Sequence, residues 1–173
     1  TVASVAGATV TLTSPLSSDQ LGARNGDGGV DFLPHVGNLT RNVVVRSEVA
    51  IGATGTRGHA LFTARATVDI RYARFADLGR TTIDPLDATT NHIGRYAIHA
   101  HHLMGPAATP ANGYQFTFIG NAVDGGSTAH RLKWGMAIHN SHYGLIQGNV
   151  VYNWAGSAVM FEDGSESFNV VDG

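Results

Sequence analysis

The residues with the clearest chemical potential are histidines in a short segment that is typical of a β-strand. Segment 98–101 reads Ile-His-Ala-His, and because side chains alternate along a strand, His99 and His101 would share one outward face. On an extended strand these two imidazoles would lie about 6–7 Å apart. Two imidazoles at this spacing can share a metal ion or transfer protons at a bound substrate.

Further candidate residues come from two later segments that align with the first. Segments 96–102, 136–142 and 157–163 can be laid over one another, with offsets of 40 and 21 residues. If these strands stack, the alignment predicts that His139 lies about 5 Å from His99. The predicted outward column contains His99, His101, His139, Ser141, Met160 and Glu162, and the predicted inward column contains Ile98, Ala100, Ile138, Asn140, Val159 and Phe161.

These segments predict a site with three kinds of role. The candidates for acid–base catalysis are His99, His101, His139, Glu162 and Asp163. Three of them, His99, His101 and His139, also match the ligands of a divalent metal ion such as zinc or manganese. The candidates for substrate binding are Arg95 and Lys133, which could meet a carboxylate, and Tyr96 and Trp134, which could stack on sugar rings.

Other interpretations of the same residues stay open. Stacked polar side chains in β-solenoids can simply satisfy one another, so the histidines could form a structural ladder. A pair of carboxylates among Asp124, Glu162 and Asp163 would indicate a glycosidase, in which the carboxyl groups lie about 5–5.5 Å or 6.5–9.5 Å apart. Three further side chains could either complete the site or form turns: Asp84, Asp87 and His92. Three other histidines fall outside this register, and we interpret them as ordinary polar positions: His35, His59 and His130.

The elements that must position these residues are short strands separated by glycine-rich turns. An irregular period with a minimum near 21 residues favours a solenoid whose coils carry insertions, which we place at 79–94, 103–113 and 124–134. A β-sandwich also has short strands, but its strands rarely repeat the same residue types at the same position relative to a turn. We therefore predict an all-β, right-handed parallel β-helix over residues 1–173. The strand at 168–173 lacks a cap, so we expect a fragment of a longer chain.

Composition excludes several classes of protein. Lys and Arg number 11 against 13 Asp and Glu, which leaves a net charge of −2 and no basic surface for nucleic acid. No apolar run reaches the roughly 18–20 residues that a membrane span needs. Cysteine is absent, which excludes disulfide scaffolds and thiolate metal sites.

The sequence also resembles a family of extracellular parallel β-helix proteins that includes the cell-migration-inducing hyaluronidase, the transmembrane hyaluronidase and fibrocystin. The strings that carry the resemblance are Leu39–Ser47, Gly58–His59, Val68–Arg71 and Gly94–His101. The later strings at 133–156 and 162–167 are similar to bacterial members of this group. The resemblance implies a right-handed parallel β-helix, an extracellular setting and, for some relatives, depolymerisation of hyaluronan. His99 and His101 match the His-x-His pair of the family, with Arg95 and Tyr96 before it.

Two functions of different classes follow. The first is an extracellular or cell-surface protein that acts on uronic-acid-containing polysaccharides such as hyaluronan, as a glycosidase or lyase. The alternative is a non-catalytic surface, adhesin or glycan-binding module. A third hypothesis is metal-dependent hydrolysis of a substrate other than sugar. The expected partners are an extracellular polysaccharide and neighbouring domains of the same longer chain.

Overall fold

The computed structural model describes residues 1–48, 56–106, 108, 110–126 and 131–173. In these residues the chain forms the strands β1 (Val2–Ala6), β2 (Thr9–Leu12), β3 (Ala23–Arg24), β4 (Val30–Phe32), β5 (Val43–Arg46), β6 (Ala60–Ala64), β7 (Val68–Arg71), β8 (Ala73–Ala76), β9 (Ile98–Leu103), β10 (Phe116–Ile119), β11 (Ala122–Asp124), β12 (Met136–His139), β13 (Gly144–Gln147), β14 (Val150–Tyr152), β15 (Val159–Phe161) and β16 (Val170–Asp172). No helix of the described part is long and apolar enough to cross a membrane. The chain divides into two compact units, Thr1–Gly37 and Asn38–Gly173.

The first unit consists of two antiparallel hairpins. Strand β1 pairs with β2, and β3 pairs with β4. The second hairpin turns at Asn25, whose side-chain oxygen accepts hydrogen bonds from the backbone N–H groups of Asp27 and Gly29. The predicted β-helix segment covered residues 1–173, whereas the parallel pairing runs from Val43 to Asp172.

The second unit is a parallel solenoid with three sheets. The first sheet contains β5, β8, β11 and β14, the second β6, β9, β12 and β15, and the third β7, β10, β13 and β16. Each strand from β5 to β13 pairs in parallel with the third strand after it in the chain, so three strands complete one coil. This pairing confirms the right-handed parallel β-helix and excludes the β-sandwich, whose sheets are antiparallel.

The core lies inside the coil and is built from aligned apolar side chains. In the second sheet the register stacks Ala60, Ile98, Met136 and Val159 in one column. A second inward column contains Phe62, Ala100, Ile138 and Phe161. Ile98 and Ile138 are fully buried, and burial of a side chain of this size contributes about 1.5–3 kcal/mol. The alternation therefore directs the residues between them, including His99 and His101, to the opposite face.

The corner between the third and first sheets is tight because asparagine side chains replace missing backbone partners. Asn121 accepts a hydrogen bond from the backbone N–H of Ala73 and donates one to the carbonyl of Ile70. One coil further on, Asn149 accepts from the N–H of Asn121 and donates to the carbonyl of Phe118. With its polar groups paired in this way, this corner holds the coils in register without an insertion.

The insertions lie at the other two corners, close to the predicted positions. The longest joins β8 to β9, spans residues 77–97 and leads directly into the histidine strand. A buried arginine anchors its base: Arg57 donates to the backbone carbonyls of Asp77 and Gly125 and lies 3.7 Å from the Asp77 carboxylate. The other two insertions lie between β9 and β10 and between β11 and β12. The latter contains His130, which lies outside the described residues.

Candidate functional site

The second sheet brings the histidine strands together, but in a different register from the predicted one. His139 of β12 pairs with His101 of β9, whereas the alignment placed it beside His99. Met160 lies beside Ala137, and Glu162 continues the chain after Phe161 at the level of His139. The predicted register was wrong by two residues, since Met136 pairs with Ile98 and not with Tyr96. A shift of two keeps each side chain on its face but changes its neighbours.

The corner after β12 also reverses two predicted orientations. Asn140 has a positive φ of 44°, which ends the alternation of the strand. Its amide points outward and donates to the Asp163 carboxylate over 3.0 Å, although the sequence predicted it inward. Ser141, predicted outward, is fully buried, and its hydroxyl accepts from the N–H of Leu103.

The three imidazoles converge on one face, as an imidazole cluster formed by His99, His101 and His139. The ring centroids of His99 and His101 are 4.9 Å apart, and those of His101 and His139 are 4.7 Å apart. The rings of His99 and His139 are parallel at 6.0 Å. One nitrogen from each ring can be chosen so that all three lie within 4.8 Å of one another. This arrangement could hold a metal ion.

Hydrogen bonds orient two of these rings. His99 Nδ1 lies 3.0 Å from the carbonyl of Gly94, so Nδ1 carries the proton that it donates. His99 Nε2 is buried and has no hydrogen-bond partner among the described residues. His139 Nε2 lies 2.8 Å from the Asp163 carboxylate, and its Nδ1 faces His101 Nδ1 at 3.0 Å. The cluster therefore directs ring nitrogens toward a common point.

A second carboxylate, that of Glu162, adjoins the cluster on the side of the cavity. Its Oε1 accepts a hydrogen bond of 3.2 Å from the Tyr96 hydroxyl. Its Oε2 is buried without a hydrogen-bond partner and lies 3.7 Å from His139 Nδ1. Burial and the neighbouring carboxylate raise the pKa of Tyr96, so this hydroxyl stays a donor. Glu162 thus presents one occupied and one unoccupied oxygen.

Burial favours the neutral form of two of the imidazoles, those of His99 and His101. His99 is 2% exposed, and desolvation lowers its pKa to about 4, although the hydrogen bond to Gly94 opposes this shift. Desolvation also lowers the pKa of His101, and the neighbouring His102 and His139 add to the effect. Neutral rings keep a lone pair available for a proton or a cation.

These groups line a cavity of about 190 Å³, which we call the histidine cavity. Its lining residues are Leu61, Ile93, Gly94, Arg95, His99, His101, His139 and Glu162. Ile93 and Gly94 belong to the predicted insertion 79–94, so this loop does form one wall of the site. Arg95 adds a cationic group to a cavity that also contains three imidazole rings and one carboxylate.

Three predicted substrate-binding residues support the histidine cavity from outside it. Tyr96 is 1% exposed, so its ring cannot stack on a sugar. It packs instead between His99 and Trp134, with centroid distances of 5.1 and 4.7 Å. The Lys133 ammonium lies 4.5 Å above the Trp134 ring. Neither Lys133 nor Trp134 lines the cavity.

The other acidic candidates lie elsewhere. Asp124 belongs to the first sheet and forms an ion pair of 2.8 Å with Arg74, so it does not form a carboxylate pair with Glu162. In the insertion, Asp84 pairs with Arg131 at 3.2 Å, and Asp87 accepts hydrogen bonds from the two threonines that follow Ala88. Their contacts stabilise the loop.

One residue near the cluster, His102, was missed from sequence. His102 has a φ of 55°, which turns its ring back toward His101 (4.3 Å) and His139 (4.9 Å). Strict alternation placed it on the opposite face, and the adjacent histidine doublet was the one available signal. Glu166 accepts from the backbone N–H groups of Asn140 and Asp163 and so holds the turn that carries Asp163.

Comparisons with known proteins agree with this architecture. The family model described as CEMIP beta-helix matches residues 55–173. Cell surface hyaluronidase CEMIP2 of Homo sapiens is 26% identical over 155 residues, which cover 83% of this chain and 10% of that protein. The chain thus spans about a tenth of the length of this relative. No solved structure matches significantly. The match includes the histidine strands and the insertion before them, and the chain belongs to the CEMIP β-helix family.

Proposed function

We propose that the histidine cavity is the reactive site of an extracellular or cell-surface protein that cleaves polysaccharides containing uronic acids, such as hyaluronan. The observation that carries this proposal is the convergence of three imidazoles, the unpartnered Glu162 oxygen and Arg95 in one cavity. The human relative is named a cell surface hyaluronidase, which supports the same substrate class and location.

Arg95 is the group that would recognise the substrate. A guanidinium pairs well with a carboxylate because two parallel N–H donors match its two oxygens. Arg95 follows the wall residues Ile93 and Gly94, so a uronate bound to it would sit next to the cluster. Neutralisation of the uronate carboxylate would also acidify the adjacent C–H bond of the sugar.

Glu162 is the group that would move a proton. Glu162 lines the cavity, and a rotation of its carboxylate would bring the unpartnered Oε2 to the proton on the carbon next to the uronate carboxylate. The electron pair of that C–H bond then forms a C=C bond as the glycosidic C–O bond breaks, and the leaving oxygen takes a proton from solvent. Glu162 is the one carboxylate among the described residues that line the cavity. A two-carboxylate hydrolysis requires a second one, so the geometry favours elimination over that mechanism.

A non-catalytic ladder is the second candidate, and other sheets of the solenoid provide the comparison. On the third sheet the Thr117 hydroxyl donates to Asp69, and the Gln147 amide donates to Asp172. Each of these contacts pairs a side chain of one coil with a side chain of the next. The cluster differs because His99 Nε2 and Glu162 Oε2 are buried without such partners. Buried unpaired polar atoms cost about 1–3 kcal/mol each, which favours a ligand-binding role over a structural one.

Incubation with defined glycans tests the proposal. The protein is mixed with hyaluronan, chondroitin, alginate or pectin, and chain length is followed by size-exclusion chromatography. Ultraviolet absorbance of unsaturated uronate ends identifies elimination, and new reducing ends without this absorbance identify hydrolysis. We expect shortening of a uronate glycan by the native protein, strong loss with Glu162→Gln or Arg95→Gln, and full activity with Asp172→Asn. Binding of a glycan without shortening by the folded protein would favour the non-catalytic module.

A further inference from the structure

We infer that the imidazole cluster is a binding site for one transition-metal ion, held by His99, His101 and His139 with a coordination position open toward the histidine cavity. The inference deepens the proposed function by naming the cofactor of the same site. It rests on that proposal only for the role of the ion in cleavage, since binding of the ion can be measured separately.

The ligand atoms follow from the contacts of each ring. His99 has its Nδ1 on the Gly94 carbonyl and its Nε2 buried without a partner, which leaves Nε2 as the ligand. His139 has its Nε2 on Asp163, which leaves Nδ1. His101 Nδ1 faces that atom at 3.0 Å. Nitrogens bound at about 2.0–2.1 Å to one tetrahedral ion lie roughly 3.3 Å apart, so the observed contact needs little adjustment.

Two of the rings already have the outer contacts that metal-bound histidines require. A ligating imidazole usually donates its second N–H to a carboxylate or a backbone carbonyl, which fixes the tautomer and the ring plane. Asp163 plays this part for His139, and Gly94 for His99. The third ring, His101, would bind through Nδ1 after its proton moves to Nε2, without net release of a proton.

The surroundings leave room for a fourth ligand. Glu162 Oε2 lies beside the cluster, 3.7 Å from His139 Nδ1, where its negative charge would stabilise a cation. Three imidazoles with an open fourth position are the donor set of many catalytic zinc sites. Imidazole donors favour zinc, copper, nickel or iron over calcium and magnesium, which prefer oxygen ligands. The ion is therefore a divalent transition metal.

Cobalt titration tests the site without any substrate. The full chain is freed of metal with chelator and titrated with Co²⁺, and the visible d–d bands of four-coordinate cobalt report binding. We expect one equivalent to bind and Zn²⁺ to displace it. His99→Gln and His139→Gln should each weaken binding by more than about 100-fold, since loss of an outer contact alone costs 10–100-fold. The control His35→Gln, in the exposed part of the first unit, should bind like the native chain.

A measurement on the native chain tests the metal site even if the variants fail to fold. Long-range ¹H–¹⁵N spectra of the nine histidines, recorded with and without Zn²⁺, should show three imidazoles whose nitrogen shifts become those of metal-bound rings. The inference is overturned if no histidine shifts, or if folded His99→Gln and His139→Gln bind cobalt as tightly as the native chain. Glycan cleavage in excess chelator would refute a role of the ion in cleavage and keep the proposed function. Stoichiometric metal binding without cleavage of any glycan would refute the proposed function and keep the metal site.

Discussion

Asp163→Asn is the sharpest perturbation of the proposed site because it changes one charge and almost no volume. The Asp163 carboxylate accepts the His139 Nε2–H over 2.8 Å and the Asn140 amide over 3.0 Å. It touches His139 on the side away from the other two rings. The substitution therefore tests whether His139 is held for a ligand or only packed.

The expected effect follows from this geometry. An asparagine oxygen can still accept the His139 proton, so the ring keeps its place, but the negative charge that raises the basicity of Nδ1 is lost. We expect Co²⁺ and Zn²⁺ to bind about 10-fold more weakly, which is about 1.4 kcal/mol. Asp163 is 43% exposed, so the free energy of unfolding without metal should change by less than about 0.5 kcal/mol.

Calorimetric titration with Zn²⁺ and urea unfolding of the metal-free chain measure the two effects. Asp172→Asn is the matched control, because Asp172 also accepts a side-chain hydrogen bond of 2.8 Å, from Gln147, but lies on the third sheet. The control should bind Zn²⁺ like the native chain. Equal Zn²⁺ affinity of Asp163→Asn and the native chain would refute the assignment of Asp163 as an orienting group.

Three further predictions concern stability and the cavity. The pKa of His99 is about 4 in the folded chain against 6.5 for a free imidazole. Between these pH values the unfolded chain binds a proton that the folded chain does not, so the free energy of unfolding should fall as pH drops from 6.5 to 4. Urea midpoints measured across this range should fall less steeply for His99→Gln. Gly144→Ala would place a methyl group inside the Phe116 ring and should lower the free energy of unfolding by about 1–3 kcal/mol, measured by thermal unfolding. The control Gly26→Ala, whose added methyl group would meet no described atom within 4 Å, should change it little. Tyr96→Phe removes the hydrogen bond to the cavity carboxylate and should cost about 1.5–3 kcal/mol in urea unfolding; an unchanged midpoint would contradict that bond.

The fold was predictable because sequence features that repeat along the chain determine it. Alternation in segments such as 98–101 and 136–139 separates core from surface, and the structure places Ile98, Ala100 and Ile138 inside as expected. The positions of insertions were readable because long stretches without periodicity interrupt the repeat. The site histidines were identified from the same alternation.

Contacts at the corners were not predictable, because they depend on backbone conformation and not on residue type. Asn140 and His102 both adopt positive φ, and each reverses the face that alternation assigns to the residues around it. The alignment therefore extended the β12 strand into its corner and misplaced His139 by two residues. Tyr96 was misassigned for a related reason: a turn at Gly94, with a φ of 81°, precedes it, and its ring is buried.

Crystals grown with Zn²⁺ provide the most direct test of the convergence of distant histidines on one ion. Anomalous diffraction at the zinc edge should show one peak about 2.0–2.1 Å from His99 Nε2 and His139 Nδ1, with Asp163 still on the opposite nitrogen of His139. Ordered, unliganded imidazoles at His99 and His139 in zinc-containing crystals, or a separation of these two rings onto different faces of the solenoid, would contradict a shared site.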